Sequence, residues 1–117
     1  MAISVLHVAF PLSEETRVRT LNLIALIDNS DDAREHVEEL TDVIIQMTEE
    51  GLKYLFLDSL RAAKVSKFQI KAVQMGVQAA RKGLEVVGRR ALKSMGDEQL
   101  RGIARYMEGL LLEVEEN

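Results

Sequence analysis

Apolar residues recur every three or four positions through most of this chain, which is the spacing of an amphipathic helix. The pattern predicts one helix over residues 14–27, a second over 31–63, a third from a cap at Ser66 to about residue 95, and a fourth over roughly 98–115. At 117 residues, the chain has the size of one domain. We therefore expect residues 13–117 to form a single helical domain.

The first twelve residues follow a different pattern and predict an extended arm. Residues 3–10 are apolar and rich in β-branched side chains, and they end at Pro11. Proline disfavours a helix that runs through this point, because its ring clashes with the preceding turn. A short strand is the alternative for this segment.

Residues 17–23 also alternate with period two, but Ser13 is a good N-cap and favours a helix there.

The second predicted helix is long for a chain of this size. Thirty-three helical residues would span about 50 Å at 1.5 Å per residue. Either Gly51 breaks the helix, or the protein is elongated and oligomeric. Beyond Gly51 the apolar residues point to nearly every side of the helix. This pattern predicts burial of residues 52–60, within the molecule or against a partner.

The third predicted helix has the clearest start and the widest apolar surface. Ser66 and Gln69 have the spacing of a capping box. Apolar and small residues cover over half of the helix circumference, so we expect this helix to be central and to touch at least two others. The small residues form a strip that predicts close helix packing, a dimer contact, or a groove for an apolar chain or a flat cofactor: Ala72, Gly76, Ala79, Ala80 and Gly83.

Charge divides the middle of the chain into an acidic and a basic segment. Residues 28–58 carry ten acids and two bases, whereas residues 61–93 carry nine bases and one acid. Two antiparallel helices would neutralise much of this charge within one molecule. A basic face that pairs less completely could bind an acidic protein, an anionic membrane surface or nucleic acid. Its residues form the candidate binding face: Lys64, Lys67, Lys71, Arg81, Arg89 and Lys93.

Residue types that carry most catalysis and metal binding are scarce. The chain has no Cys and two His. His36 lacks the preceding Glu of a Glu-x-x-His motif, and the glycine-rich phosphate-binding loops are missing. We expect no catalytic residues, no metal site and no cofactor. The chain also lacks a membrane-spanning apolar run and a basic leader, and we expect a cytoplasmic protein.

These observations favour an all-α fold, an up-and-down four-helix bundle with two long central helices and a short extended N-terminal arm. The function that they favour is a non-enzymatic oligomeric interaction module, such as a scaffold, adaptor or regulatory subunit. A homodimer is the default assembly. Two alternatives stay open: a protein that binds anionic polymers such as nucleic acid through the basic face, and a protein that binds apolar ligands or lipid surfaces.

Overall fold

The computed structural model describes residues 6–112, and these residues contain no strand. The all-α four-helix fold predicted from the sequence is confirmed. Residues 6–12 precede the first helix without regular structure, while residues 1–5 of the predicted arm and the end of the predicted fourth helix lie outside the described residues. The helices are α1 (Glu14–Asp28), a 3-10 turn (Ala33–His36), α2 (Val37–Leu52), a π-helical segment (Lys53–Asp58), α3 (Ser59–Ala62), α4 (Lys67–Lys93) and α5 (Asp97–Leu110).

The start of α1 is held by its own cap and by a carboxylate of α2. The Ser13 hydroxyl accepts a hydrogen bond from the backbone N–H of Thr16 at 3.2 Å, as the sequence predicted. The Glu50 carboxylate accepts a second bond from the backbone N–H of Ser13 at 2.6 Å. It also accepts from the Thr16 hydroxyl, and Thr16 is only 1% exposed. The cap therefore orients α1 against α2 as well as starting the helix.

The second helix does not break at Gly51. It runs from α2 through the π-helical segment into α3 without interruption. The reason for the glycine lies in the arm: a Cβ on Gly51 would sit 2.8 Å from Cζ of the Phe10 ring. The same ring lies 6.3 Å from the ring of Tyr54, measured between centroids. Gly51 thus provides the space in which Phe10 docks the arm onto the long helix.

The hydrophobic core lies where α1, α2, α5 and the C-terminal end of α4 meet. α2 is the central helix, and within it only Glu38 is exposed. α4 contributes Leu92 to this core, and its other buried residue is Val77, which lies outside the cluster. The fully packed members of the core cluster are Leu23, Ile27, Ala33, Leu40, Val43, Leu100, Ala104 and Met107.

The prediction that the third helix is enclosed by its neighbours is wrong, because α5 packs elsewhere. The carboxylate of Asp97 accepts a hydrogen bond from the backbone N–H of Ala33 at 2.6 Å. Arg101 donates to the carbonyl oxygens of Ile27, at 2.8 Å, and Ser30. These bonds fix α5 to the end of α1 and the 3-10 turn. α4 is left with α2 and the π-helical segment as its main contacts.

Replacing Gly51 by alanine tests the role assigned to Phe10. Alanine inside a helix is favoured over glycine by about 1 kcal/mol. We expect this full gain in a Phe10→Ala background and a clearly smaller gain, or a loss, in the wild type, where the ring must move. Urea denaturation of the four proteins measures the difference. Equal gains in both backgrounds would show that Phe10 does not occupy this space.

The pKa of Asp97 predicts a dependence of stability on pH. The Ala33 N–H, and after it the Arg101 guanidinium, hold the pKa of this carboxyl below its ordinary value. Its contribution is therefore present above the unfolded pKa of about 3.9 and is lost as pH falls through the lower folded value. We expect Asp97→Asn to lower the melting temperature at pH 7 and to flatten its decline below pH 4.

The matched control is Glu98→Gln, which removes the neighbouring exposed carboxylate. This variant should melt like the wild type at pH 7 and keep the wild-type decline in acid. The same loss of melting temperature in both variants would contradict a specific role of Asp97.

Candidate interaction surface

α4 begins at a capping box and a tight reversal of the chain. The Ser66 hydroxyl accepts from the backbone N–H of Gln69 at 3.2 Å, and the Gln69 side-chain oxygen accepts from the backbone N–H of Ser66 at 3.0 Å. This confirms the predicted box. Before it, Lys64 adopts a left-handed conformation with φ 57°. The N–H of Val65 bonds back to the carbonyl of Leu60 at 3.3 Å, which is the closing bond of a Schellman motif.

Opposite charges join α4 to α2 along their length. Arg81 binds Glu49 at 2.9 Å, and Glu49 is only 8% exposed. Further along, Arg89 binds Asp42 at 2.8 Å and also pairs with Glu38. The expectation that neighbouring acidic and basic segments neutralise each other is therefore met by direct contacts. We call these contacts, together with that of Lys93 to Glu38 at 2.9 Å, the ion-pair ladder.

The ladder changes the pKa of the groups that form it. Hydrogen bonds from Lys93, and after it Arg89, lower the pKa of Glu38. On the other side of α2, Arg19 lowers the pKa of Glu39 in the same way. Both shifts arise from bases on adjacent helices that hold α2 between them. The lowered pKa values of Glu38 and Glu39 are therefore a consequence of helix packing.

The ladder also divides the predicted binding face in two. Arg81, Arg89 and Lys93 are engaged with α2. The other three members are exposed near the α3–α4 turn and have no ion-pair partner within residues 6–112: Lys64, Lys67 and Lys71. The structure thus does not bring the six bases together as one free strip. Sequence reasoning identified the charges, but it could not tell which of them α2 would use.

The side of α4 that points away from α2 is apolar and uncovered. Phe68 is 82% exposed, Met75 67%, Val86 62% and Val87 68%. In the described part of the chain, a Cβ built on Gly76 or Gly83 would have no atom within 4 Å apart from its own chain neighbours and the backbone of the same helix. We call this side the open face of α4. Its members are Phe68, Ala72, Met75, Gly76, Ala79, Gly83, Val86 and Val87.

The predicted small-residue strip lies on and beside this open face. Its members are all exposed: Ala72, Gly76, Ala79, Ala80 and Gly83. None of the helices within residues 6–112 packs against them, so the close packing predicted for this strip does not occur in the described part of the molecule. The physical reason is the position of α5, which is bonded to α1 instead. Whether the strip packs against another molecule stays a prediction.

A second group of apolar side chains is exposed on the π-helical segment. Tyr54 is 40% exposed, Leu55 49% and Phe56 54%, whereas Leu57 is 4% exposed. The sequence predicted that this part of the helix would be buried within the molecule or against a partner. Burial within the molecule holds for Leu57, because α4 covers only one side of the segment.

The whole chain exposes more surface than a compact protein of its mass. Its accessible surface is 8817 Å², whereas a folded monomer of this mass exposes about 6,400 Å². Its radius of gyration is 16.5 Å, against about 13 Å for a compact domain of this length.

Concave sites are shallow in the described part of the chain. One depression lies along α4 beside Arg89 and Arg90, and another lies beside Met95 and Tyr106. Within residues 6–112, no three His, Asp or Glu side chains come together in a way that could hold a metal ion. None of the described helices combines the length and the apolar character needed to cross a bilayer.

The chain has no significant match among protein-family models, curated protein sequences or solved structures.

The ion-pair ladder can be tested by removing its most connected base. Arg89→Gln leaves Asp42 and Glu38 with fewer partners, so we expect a lower melting temperature at low salt. The loss should shrink in about 1 M salt, where the Debye length is about 3 Å. Lys67→Gln is the control on the same helix, and it should melt like the wild type. Equal effects of the two substitutions would contradict the ladder.

Proposed function

We propose that this protein is a non-enzymatic helical interaction module that works as an oligomer. Its docking surface is the open face of α4, which receives a helix of another molecule. The observation that carries the proposal is the exposure of this apolar face on a helix whose opposite side is fixed to α2. A contiguous apolar patch on a folded protein marks an interaction site more often than a chance feature of the surface.

The chemistry of the open face suits an apolar helix. Burial of apolar surface contributes roughly 25 cal/mol per Å². Phe68, Met75, Val86 and Val87 are the large side chains that would gain from it. The glycines and alanines between them let a second backbone come close, and helices that pack by ridges into grooves lie about 8–10 Å apart.

The ionisable groups support a binding role rather than a catalytic one. The carboxylates with lowered pKa include Glu38, Glu39 and Asp97, and each shift arises from a bond that joins two elements. Catalytic carboxylates generally owe their shifts to a cleft that receives substrate. Here the same groups bind helices to one another.

The anionic-polymer hypothesis has less support than it had from the sequence. Of the six bases of the predicted binding face, the ladder leaves three for phosphate contacts, and these lie next to the α3–α4 turn: Lys64, Lys67 and Lys71. The affinity of such binding grows with the number of phosphates that are neutralised. The apolar-ligand hypothesis would use the open face, which is a convex helix side instead of a groove. We therefore prefer a protein partner.

A charge placed in the open face tests this proposal. The wild type should have a mass above the 13.1 kDa of one chain, measured by light scattering and native mass spectrometry. Met75→Glu should weaken association at least tenfold, about 1.4 kcal/mol, because a carboxylate would have to be buried. Its helix content should not change, since Met75 is exposed in the single chain.

The control is Gln74→Glu, which adds the same charge one position earlier. Gln74 is exposed, and it points about 100° away from Met75 around the helix. Association should stay at the wild-type level. A single-chain mass for the wild type at every concentration, or equal weakening by both substitutions, would count against the proposal.

A further inference from the structure

We propose that the open face of α4 docks onto the same face of a second copy, with the two α4 helices antiparallel. The two-fold axis passes between Val77 and Gln78. This inference rests on the proposed function and specifies its partner. It is carried by the order of residues along the open face, by the amount of uncovered surface and by the lack of charged residues on the face itself.

The residues along the middle of the open face are spaced symmetrically. Phe68, Ala72, Gly76, Ala79, Gly83 and Val87 follow one another at intervals of four, four, three, four and four. This series reads the same in both directions. An antiparallel pair with two-fold symmetry requires such a series, because each residue meets one that is equally far from the axis on the other copy.

The sizes of these residues fit the same arrangement. Around the axis, Gly76 would lie opposite Ala79 of the second copy, and Ala72 would lie opposite Gly83. Four small residues from each copy would thus bring the two backbones close together. At both ends Phe68 would lie opposite Val87 of the other copy. Large side chains would therefore close the seam where two helices that cross at an angle begin to separate.

The amount of uncovered surface is compatible with a dimer that uses the open face. A standard interface takes about 800 Å² from each partner. The chain exposes 8817 Å², which exceeds the value for a compact monomer of this mass by about 2,400 Å². The symmetric series covers twenty residues from Phe68 to Val87, or about 30 Å of helix. A face of this length can supply a large part of one partner's share.

The lysines beside the open face make the salt dependence of association different for a second copy and for an acidic partner. The open face has no charged residue, and Lys71 and Lys82 follow one of its edges. In an antiparallel pair with two-fold symmetry, the same edge of both copies lies on the same side of the seam. Four lysines would then repel one another across it. Salt screens this repulsion, so self-association should strengthen as ionic strength rises, whereas binding to an acidic partner should weaken.

Cysteine cross-linking tests the arrangement directly, because the natural chain has no Cys. Ala72→Cys and Gly83→Cys are made in separate full-length chains, and an affinity tag on one of them gives the mixed dimer its own mass. In the proposed pair, residue 72 of one copy lies opposite residue 83 of the other. Identical positions are about 16 Å apart along the axis, and a disulfide needs Cα atoms within about 7 Å.

We expect mild oxidation to link the two variants when they are mixed and to leave each variant unlinked alone. Non-reducing electrophoresis shows the product. Lys71→Cys mixed with Leu84→Cys is the control, because these positions have the same separation from the axis and lie on opposite edges of the helix. This mixture should stay unlinked, which excludes cross-linking by random collision.

The other results would overturn the inference in distinguishable ways. Linking of each variant with itself would show a parallel pair. Dimers by light scattering without any link in the Ala72→Cys and Gly83→Cys mixture would show that a different surface joins the copies, and the proposed oligomeric role would stand. Single chains at every concentration would contradict both the arrangement and the oligomer. Weakening of self-association by salt would contradict the arrangement of the lysines.

Discussion

The electrostatic pairing of α4 with α2 decides which surfaces this protein presents. Arg81 and Arg89 bind carboxylates of α2 and hold one side of α4 against the central helix. These contacts set its rotation together with the burial of Val77 and Leu92, which are the buried residues of α4. The opposite side, with Phe68 and Val86, faces outward as a result. The ladder and the open face are two consequences of one distribution of residues around a helix.

The attachment of α5 completes this division of the molecule. In a regular four-helix bundle the fourth helix would close the groove beside α4. Here Asp97 and Arg101 bind the chain between α1 and α2, and α5 covers the other side of the core. The core is consequently concentrated at one end of α4. Much of that long helix depends on α2 and the π-helical segment for support.

Sequence patterns predicted the helices and two of their N-caps, because these features depend on neighbours along the chain. Ser13 and the Ser66–Gln69 box are examples, and α1 begins at the predicted residue. The neighbours of each helix were harder to predict. The apolar circumference of α4 is that expected of a central helix. Hydrophobicity alone does not distinguish a helix side that is buried by the same chain from one that is left for another molecule. Asp97 and Arg101 contribute to this choice together with the buried Leu100 and Met107, and a spacing of four residues between Asp97 and Arg101 is equally typical of a solvated surface pair.

The candidate surface was visible in the sequence only in part. The small residues from Ala72 to Gly83 stood out, since glycine is unfavourable inside a helix unless a backbone must come close. Their exposure could not be foreseen, because it follows from where α5 is bonded. The division of the bases into paired and unpaired residues was likewise predictable only in part. Both charged segments were evident, but the choice of Arg81 and Arg89 over Lys67 and Lys71 depends on the antiparallel alignment of α2 with α4.

The left-handed Lys64 gives the α3–α4 turn an additional significance. A residue other than glycine in this conformation is disfavoured by roughly 1–2 kcal/mol. The turn is therefore kept bent by the helices on either side of it. If Lys64 relaxed, α3 and α4 could merge into one continuous rod, and two chains could exchange these rods, as happens in domain swapping. The ion pairs between α4 and α2 would form equally in the exchanged pair, so the bend at Lys64 is the feature that separates a closed chain from a swapped one.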